Sequence, residues 1–524
     1  MRRALVAPIA LGGALFCATA HATGFTDVGD DLHPRDKTEV TLNGAFRIRA
    51  ESLYNLDLDR GLTPSGQTLY PVPQDDPNGQ ALRHADMRLR TDLAIYSLGG
   101  NVAIKSRIDV LDNVAMGSNA VGVPAASTTQ RSPNDAFHVK RLYGEVKLPI
   151  GLLAAGRMGN HWGLGMLANG GDCADCDSGD AQDRFAFLTP LAGLIFAVAY
   201  DVSAIGPTAY RADGARTIGL APSTGVHTVT LAFLRWNDGA AHERRIAAGK
   251  STVNFGAYLS HRWQKDDAPV GYLSIAAPQQ GLPSQVMYRG YTATAIDGWV
   301  RFVAPWGRVE LEGAVIVAHV DQPSLVPGVL YHASLTSRQI GAVLESELGA
   351  HDGPFGAGVD LGYASGDDSP GFGANPSPNQ PLAKPGDLDG AKVNPPYHTR
   401  VDNFRFHPDY RVDRILFREI IGTVTGAYYA RPHARLHLLR LPTGALTASV
   451  SGIASWAVYP SSTPGGRTPL GVEFDPTLSF ASRDGFGLAL EYAILFPMSG
   501  LDNPIAHLAA RPAQLVRVRL VFSF

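Results

Sequence analysis

The sequence is poor in charge and in cysteine, and it has no long apolar run after its N-terminal segment. The longest such run, around Leu191 to Tyr200, is about half of what a helix needs to cross hydrocarbon, so a transmembrane helix is excluded. Charged residues make up 18% and the formal net charge is −3, which gives no hint of a nucleic-acid partner. A second cysteine pair that would complete a four-sulfur zinc site is lacking as well.

Turn-forming and aromatic residues are abundant instead. The chain has 57 Gly, 36 Pro, 18 Tyr and 21 Phe, which argues against a disordered or helical-repeat protein and favours many short strands. Its length suits two or three soluble domains, but one large barrel uses that length too. A soluble all-β propeller would show a repeat of fixed period, and the sequence shows none.

The first 22 residues have the pattern of a secretory signal peptide. Arg2 and Arg3 form a positive start, an apolar stretch follows, and Ala20-His21-Ala22 is a small-x-small cleavage site. We therefore predict export, a signal peptide at 1–22 and a single mature domain at 23–524.

The C-terminal residues alternate between apolar and polar up to an aromatic terminus. Val516, Val518 and Leu520 lie on one predicted face, and Arg517 and Arg519 lie on the other. A last strand ending in Phe524 resembles the assembly signal of bacterial outer-membrane barrels, which implies the barrel-assembly machinery and outer-membrane lipid as partners. An amphipathic edge strand of a soluble protein is the alternative.

The same period of two recurs along the chain, as a barrel in lipid requires. In 38–54, for example, Val40 and Leu42 share one face while Arg47 and Arg49 share the other. Short turns such as Gly99-Gly100 alternate with long connections, which is the layout of periplasmic turns and extracellular loops. The count is about 18 antiparallel strands, and an even number returns both termini to the periplasm. The predicted fold is all-β, a transmembrane antiparallel barrel with long extracellular loops.

The longest connection, 367 to about 426, is predicted to fold partly into the mouth or lumen as a constriction. Within it, Leu416 and Ile420, and likewise Phe417 and Ile421, repeat at i,i+4. This spacing predicts a short helix over Ile415 to Gly422.

With the apolar faces outward, the lumen receives an arginine-rich set of side chains. We predict as pore-lining Arg47, Arg49, Arg88, Arg90, Arg107, Arg141, Arg431, His433, Arg435, His437, Arg517 and Arg519, and the inward faces add Lys105, Lys147, Arg157, Arg262 and Arg301. The same faces carry carboxylates, among them Glu51, Asp86, Asp92, Asp109, Glu145, Asp297, Glu310, Glu312, Glu345, Glu347, Glu473 and Glu491. Paired ladders that stiffen the barrel are one interpretation, and unpaired guanidiniums that attract anions are the other.

The strand at 427–441 favours the second interpretation. Arg431, His433, Arg435 and His437 share one face with no carboxylate among them, which indicates a positive constriction or binding strip. The two histidines are equally compatible with lumen positions that have no task.

Cys173 and Cys176 form a C-x-x-C within an acidic segment. In an exported chain this spacing favours a disulfide that pins a surface loop over redox chemistry or half a zinc site. Asp172, Asp175, Asp177 and Asp180 are a candidate calcium cluster, although they do not fit the ordered calcium-loop pattern and a solvated acidic loop is the default. We predict no cofactor.

Gly362-Tyr363-Ala364-Ser365-Gly366-Asp367-Asp368 resembles the strand-end motif of the alginate-export family of outer-membrane porins. Gly471-Val472-Glu473-Phe474-Asp475, Leu490-Glu491-Tyr492 and the segment from Phe496-Pro497 to Gly500 are similar to that family's closing strands. The resemblance covers roughly 355 to 524 and implies an 18-stranded barrel with an arginine-lined pore for an acidic polysaccharide.

The first half resembles a myxobacterial outer-membrane family of unassigned function. The likeness rests on the motifs Tyr143-Gly144-Glu145, Pro149-Ile150-Gly151 through Gly156-Arg157, Trp162-Gly163-Leu164-Gly165 and Gly170-Gly171-Asp172-Cys173. It implies a location and no solute.

Together these features predict an outer-membrane, porin-like channel for passive diffusion of a solute that is anionic or carbohydrate-like. A plugged barrel with a structural, surface-display or lipid-binding role is the alternative. A barrel enzyme is less favoured, because no histidine near a loop lies in a His-x-Ser-Asn-Gly context, and we predict no catalytic residue.

Overall fold

The computed structural model describes residue 29 and residues 31–76, 80–117, 136–211, 213–237, 239–268, 286–324, 330–331, 333–350, 353–376 and 380–524. The predicted signal peptide at 1–22 lies outside the described residues.

Nearly all regular structure is β-strand. The strands are β1 (Glu39–Tyr54), β2 (Ala81–Tyr96), β3 (Val102–Ala115), β4 (Phe137–Leu148), β5 (Gly151–Gly159), β6 (Ala181–Leu191), β7 (Leu194–Ala204), β8 (Thr208–Tyr210), β9 (Thr217–Gly219), β10 (Val226–Arg235), β11 (Thr252–Asp267), β12 (Met287–Ala304), β13 (Gly307–Val320), β14 (Leu335–Leu348), β15 (Phe355–Ala364), β16 (Ala427–Leu441), β17 (Gly444–Ala457), β18 (Pro469–Ser482), β19 (Phe486–Pro497) and β20 (Ala513–Ser523).

Eighteen of these strands form one closed antiparallel sheet. β1 pairs with β2 on one side and with β20 on the other, so the first and last strands close the barrel. At this seam Phe46 lies opposite Phe522 and Arg49 opposite Arg519. β8 and β9 form a separate hairpin, and β7 pairs directly with β10. The predicted fold class and strand count are confirmed.

Connections alternate between short turns and long loops around the barrel. Two-residue turns join β4 to β5, β6 to β7, β12 to β13 and β16 to β17, whereas β15 and β16 are joined by 365–426. The exception on the short-turn side is the β10–β11 connection, which contains the helix α1 (Gly239–Ala247). No helix in the described ranges is long and apolar enough to cross a membrane.

The two faces of the wall differ in polarity. On β1, Val40 and Leu42 are 60% and 56% exposed on the outside, whereas Arg47 on the inside is 2% exposed. Because a closed barrel leaves no unpaired edge and turns an apolar exterior to its surroundings, it suits a lipid environment. This architecture is that of a bacterial outer-membrane barrel, as predicted.

One inward assignment is wrong. Arg157 on β5 faces outward and pairs with Asp183 of β6 at 2.8 Å, with both side chains about half exposed. The inward face of β5 is apolar at this point, since Leu152, Ala154 and Met158 are the buried residues. Assigning the inward face by polarity alone therefore gives the wrong face for β5.

The loop 365–426 folds into the barrel and builds a hydrophobic core inside it. Its buried side chains include Phe372, Phe404, Phe406 and the helical turn Leu416–Ile421, which is a π-helix at the predicted helical position. They pack on inward apolar wall residues that lie toward the long-loop end, namely Leu53, Tyr429, Ile453, Leu495 and Leu515. The lumen wall is therefore apolar beneath this loop, and a second apolar cluster of inward residues includes Leu152, Leu188 and Leu234.

Candidate functional site

A second inward loop, 160–180, crosses the lumen against the arginine-bearing wall. Cys173 and Cys176 form a disulfide within it. Its backbone carbonyls are acceptors for the wall, since Arg88 donates to Cys176 O at 2.6 Å and Arg90 to Gly171 O at 2.5 Å. The disulfide loop is thus part of the lumen and not a surface loop.

The aspartates of this loop are surrounded by guanidiniums. Asp175 is 2.5 Å from Arg418, 3.1 Å from Arg519 and 3.2 Å from Arg49. Burial alone would raise the pKa of Asp175, but the charges of Arg418, Arg519 and Arg411 outweigh it and hold that pKa well below its usual range. At this depth the carboxylate stays ionised and links the wall to both inward loops.

The other predicted calcium ligands have similar partners. Asp177 contacts Arg411 at 2.6 Å and Arg49 at 3.0 Å, and Asp172 is paired with Arg107 and Arg141. Asp180 lies 3.4 Å from His407. Asp175 and Asp177 share Arg49 and Arg411, whereas Asp172 and Asp180 lie against other cations. The four aspartates do not converge on one point, so the structure offers no cation cage here among the residues it describes.

All twelve predicted pore-lining residues lie on inward faces of β1, β2, β3, β4, β16 and β20. Most of the guanidiniums have carboxylate partners on neighbouring strands or on the inward loops. Arg90 binds Asp109 through two nitrogens at 2.8 Å each, and Arg519 donates to Glu491 at 2.9 Å. In these contacts the wall matches the paired-ladder interpretation.

The basic strip on β16 is paired as well. Arg431 donates to Asp360 of β15 at 2.9 Å, and His433 lies 3.4 Å from the same carboxylate. Arg435 donates to Glu347 of β14 at 2.6 Å. Strand 427–441 carries no acid itself, but the adjacent strand β15 and the next strand β14 supply the missing carboxylates.

Two wall glutamates hold the inward loops in place. Glu473 of β18 accepts hydrogen bonds from the backbone N–H groups of Arg414 and Ile415 at 2.9 and 2.8 Å, and from Leu416 at 3.0 Å. Glu312 of β13 accepts the N–H of Leu164 in the other loop in the same way. A carboxylate that binds several backbone N–H groups fixes a loop without a regular ladder.

Two cavities of the lumen are lined by described residues. The first, which we call the outer cavity, is a space of about 560 Å³ between the inward loops and the wall strands β6, β7 and β10–β14. The central cavity, of about 440 Å³, lies beside β16–β20. His161 lines both cavities and so marks their boundary.

The outer cavity contains two guanidiniums that have no carboxylate within ion-pair distance among the described residues. Arg262 of β11 donates to Thr228 Oγ1 at 3.0 Å, and Arg405 extends from the long loop. Within the ranges that the structure describes, neither has a carboxylate oxygen within 4.0 Å, whereas Arg184 nearby binds Asp201 at 2.6 and 2.9 Å. Among the described residues, these two guanidiniums thus lack a nearby carboxylate, whereas Arg431 and Arg435 of β16 have one, and Arg88 of β2 is bound by backbone carbonyls.

Arg405 was missed from the sequence because it lies in a loop. A signal for it does exist, since Phe404-Arg405-Phe406 alternates like a strand. Both phenylalanines are buried in the core inside the barrel, and the arginine between them is exposed on the opposite side. Arg262 was one of the predicted inward arginines, but nothing in the sequence marked it as unpaired.

Comparison with known proteins gives a distant likeness to outer-membrane proteins. No family model matches the chain, and no curated protein matches it. The outer-membrane protein OpdK of Pseudomonas aeruginosa is 10% identical, with 93% of this chain and 98% of that chain covered and a TM-score of 0.44. OccK9 (OpdG) of the same organism is 10% identical over 93% and 98% of the two chains, with a TM-score of 0.46. OmpT of Vibrio cholerae is 8% identical over 94% and 100%, with a TM-score of 0.34.

These values are too low to transfer a solute or a residue's role, so the conclusion rests on the barrel itself. The chain is an 18-stranded outer-membrane barrel whose lumen is narrowed by two inward loops.

Proposed function

We propose that this barrel is a porin-like channel for passive diffusion of a small anionic or polyhydroxylated solute. The observation that carries the proposal is the outer cavity with Arg262 and Arg405, where two guanidiniums face open space with no carboxylate within 4.0 Å in the described chain. An anionic group would accept their hydrogen bonds, and a guanidinium binds carboxylates and sulfates through two parallel donors.

The wall around these arginines offers further polar contacts. Thr228, Thr230 and Ser260 supply hydroxyl groups, and Tyr258 and Tyr291 supply aromatic faces with hydroxyls. Hydroxyl groups of this kind donate hydrogen bonds to carboxylates and to sugars, and aromatic faces stack on sugar rings. The proposal requires neither a catalytic step nor a cofactor.

The resemblance of 355–524 to alginate-export porins supports an acidic sugar as the solute. In the barrel this part forms β15–β20 and the long inward loop. Its basic residues on β16 are neutralised by Asp360 and Glu347, so we assign the first contact with an acidic sugar to Arg262 and Arg405 instead.

The test is single-channel conductance of the refolded chain in planar bilayers, with ion selectivity read from the reversal potential in a salt gradient. We expect anion-selective steps, and a shift toward cations in the double variant Arg262→Ala/Arg405→Ala. Arg157→Ala, which removes an arginine from the outer surface, is the matched control and should leave selectivity unchanged. A folded barrel without conductance would contradict the proposal and favour the plugged alternative.

A further inference from the structure

Two prolines lie in the middle of strands of the closed barrel, whereas Pro190, Pro469 and Pro497 lie at strand ends. Pro432 is in β16 and Pro476 is in β18. A proline has no N–H to donate to a neighbouring strand, so sheets confine it to edges and bulges, and a closed barrel has no edge. Each of these residues therefore weakens the wall where it stands.

The strand pairing is interrupted at both prolines. Between β16 and β17 the pairs end at Ala430↔Ala454 and resume at His433↔Ser451. Between β18 and β19 they end at Phe474↔Ile494 and resume at Thr477↔Glu491. The two interruptions lie at one height, because Ser451 pairs with His433 on one side and with Asp475 on the other.

The ribbon β17–β18 is itself paired without a gap at this height, through Val450↔Pro476 and Gly452↔Phe474. It is therefore an intact hairpin whose two flanks have both lost hydrogen bonds at the same level. Such a unit can move against the wall at a smaller cost than a ribbon with complete ladders.

Outside the wall, the same strands carry an apolar groove of about 500 Å³. The small side chains Ala434 and Ala448 leave a hollow between the larger Leu436, Leu478 and Leu490. These leucines are 41–48% exposed on the outer surface of the barrel, so the groove opens toward lipid.

Inside the wall, the central cavity touches the same strands through Arg431, Ser451, Asp475 and Glu491. Asp475 lines the central cavity and its neighbour Pro476 lines the groove. One layer of strands, lacking part of its hydrogen bonding, thus separates a polar chamber from an apolar one.

We propose that the β17–β18 ribbon is a lateral gate through which a single-chain amphipath passes between the central cavity and the membrane. Its anionic head group would contact the guanidinium of Arg414 in the central cavity, whose nearest carboxylates, Asp475 and Glu491, lie 3.7 and 3.9 Å away, while its apolar tail occupies the apolar groove. This route differs from the axial diffusion of a polar solute and extends the function proposed above.

The test uses the full-length barrel in phospholipid vesicles with dodecanoate that carries a photoreactive diazirine on its tail, added to the aqueous phase. We expect the label to concentrate on β16–β19. Pro432→Val/Pro476→Val restores the two missing donors and Ala448→Phe fills the groove, so each should lower this labelling at least fivefold. Ala257→Phe, on the outward face of β11, is the matched control and should leave it unchanged.

Two outcomes would overturn the gate. One is labelling spread evenly over the outer surface, which would mean that the tail reaches the barrel from the lipid. The other is strong β16–β19 labelling that neither variant reduces, with folding of each variant checked by its heat-modifiable mobility. Acetate permeation through the barrel, measured by vesicle swelling, follows the axial route. A folded barrel that admits no acetate would contradict the channel. A barrel that admits acetate but is labelled evenly would contradict only the gate.

Discussion

Asp175 connects three parts of the molecule through one carboxylate. It belongs to the loop 160–180, and its partners are Arg49 and Arg519 of the wall and Arg411 and Arg418 of the long inward loop. A buried ion pair gains little over apolar packing, but removing one partner leaves the others uncompensated. Replacing Asp175 therefore lowers the free energy of unfolding by more than its individual contact distances indicate.

We expect Asp175→Asn to lower the free energy of unfolding by about 3–5 kcal/mol, because several buried guanidiniums would lose their counter-charge. Chemical unfolding in detergent micelles, followed by tryptophan fluorescence, measures the change. The control is Asp183→Asn, which breaks the half-exposed pair with Arg157 and should cost no more than about 1 kcal/mol. Equal losses for both variants would show that burial of the cluster has no energetic weight.

Lys392 provides a test by pH at the same scale. Its ammonium is buried in the long loop, where it donates to Ser369 O at 2.8 Å and to Gly371 O. Burial lowers its pKa to about 8, and the nearby Asp367 and Asp389 only partly oppose this. Between pH 8 and 10.5 the unfolded chain therefore binds more protons than the folded one at this group.

We expect the free energy of unfolding to rise with pH across that window, by at most about 3 kcal/mol from this group. The rise is complete above the pKa of Lys392 in the unfolded chain, and it is lost as the pH falls through the pKa of Lys392 in the folded chain. Lys392→Met should flatten the rise. The measurement is unfolding of both proteins from pH 7 to 11, and an equal slope in the two would contradict the assignment.

At the scale of elements, the two inward loops occupy much of the lumen, and the segment around Asp31, which binds the inward Lys105, enters it as well. Neither loop has a regular ladder in its described residues. Both are held by wall glutamates and side-chain ion pairs, and 160–180 also by a disulfide. Such segments have fewer backbone hydrogen bonds than the wall. The free energy needed to open them is therefore smaller than the free energy of unfolding the barrel.

We expect Cys173→Ser/Cys176→Ser to release this constraint, which corresponds to about 2 kcal/mol of loop-closure entropy, and to leave the strands intact. Single-channel records should then show larger and noisier current than the parent protein. Circular dichroism provides the control for the barrel. A variant with unchanged current would show that Arg88, Arg90 and the loop aspartates hold the loop alone.

At the scale of the whole molecule, closure depends on the pairing of the first and last strands. Phe524 at the C-terminus accepts the N–H of Gly44 at 3.1 Å and donates its own N–H to Gly44 O at 3.0 Å. The residue that we predict as the assembly signal therefore also completes the seam. We propose the barrel-assembly machinery as the partner that recognises it.

We expect Phe524→Ala to reduce the amount of folded barrel in the outer membrane several-fold, with little effect on refolding of the purified chain into detergent. Phe496→Ala, which removes another outward phenylalanine, is the control and should assemble at the parent level. Equal yields in membrane fractions for all three proteins would remove Phe524 from the assembly signal.

The sequence by itself determined the strands, their number and the side of the barrel on which the long loops lie. Side chains alternate with a period of two in any strand, and a membrane barrel must repeat that period along its whole length, so local patterns such as Val40, Leu42, Arg47 and Arg49 suffice. The helical turn near Leu416 was predictable from another local pattern, the i,i+4 spacing of its apolar residues. Arg157 shows the limit, since an apolar inward face reverses the pattern.

Only the tertiary structure decided which charges are free. Arg431 and Arg435 lie on a strand without acids, yet register places Asp360 and Glu347 beside them. The loop 160–180 binds Arg47 and Arg88, which are more than 80 residues away in the sequence. The guanidiniums of Arg262 and Arg405 have no carboxylate within 4.0 Å among the described residues. Pairing of this kind depends on strand register and on where a loop enters the lumen, and neither is encoded in a local pattern.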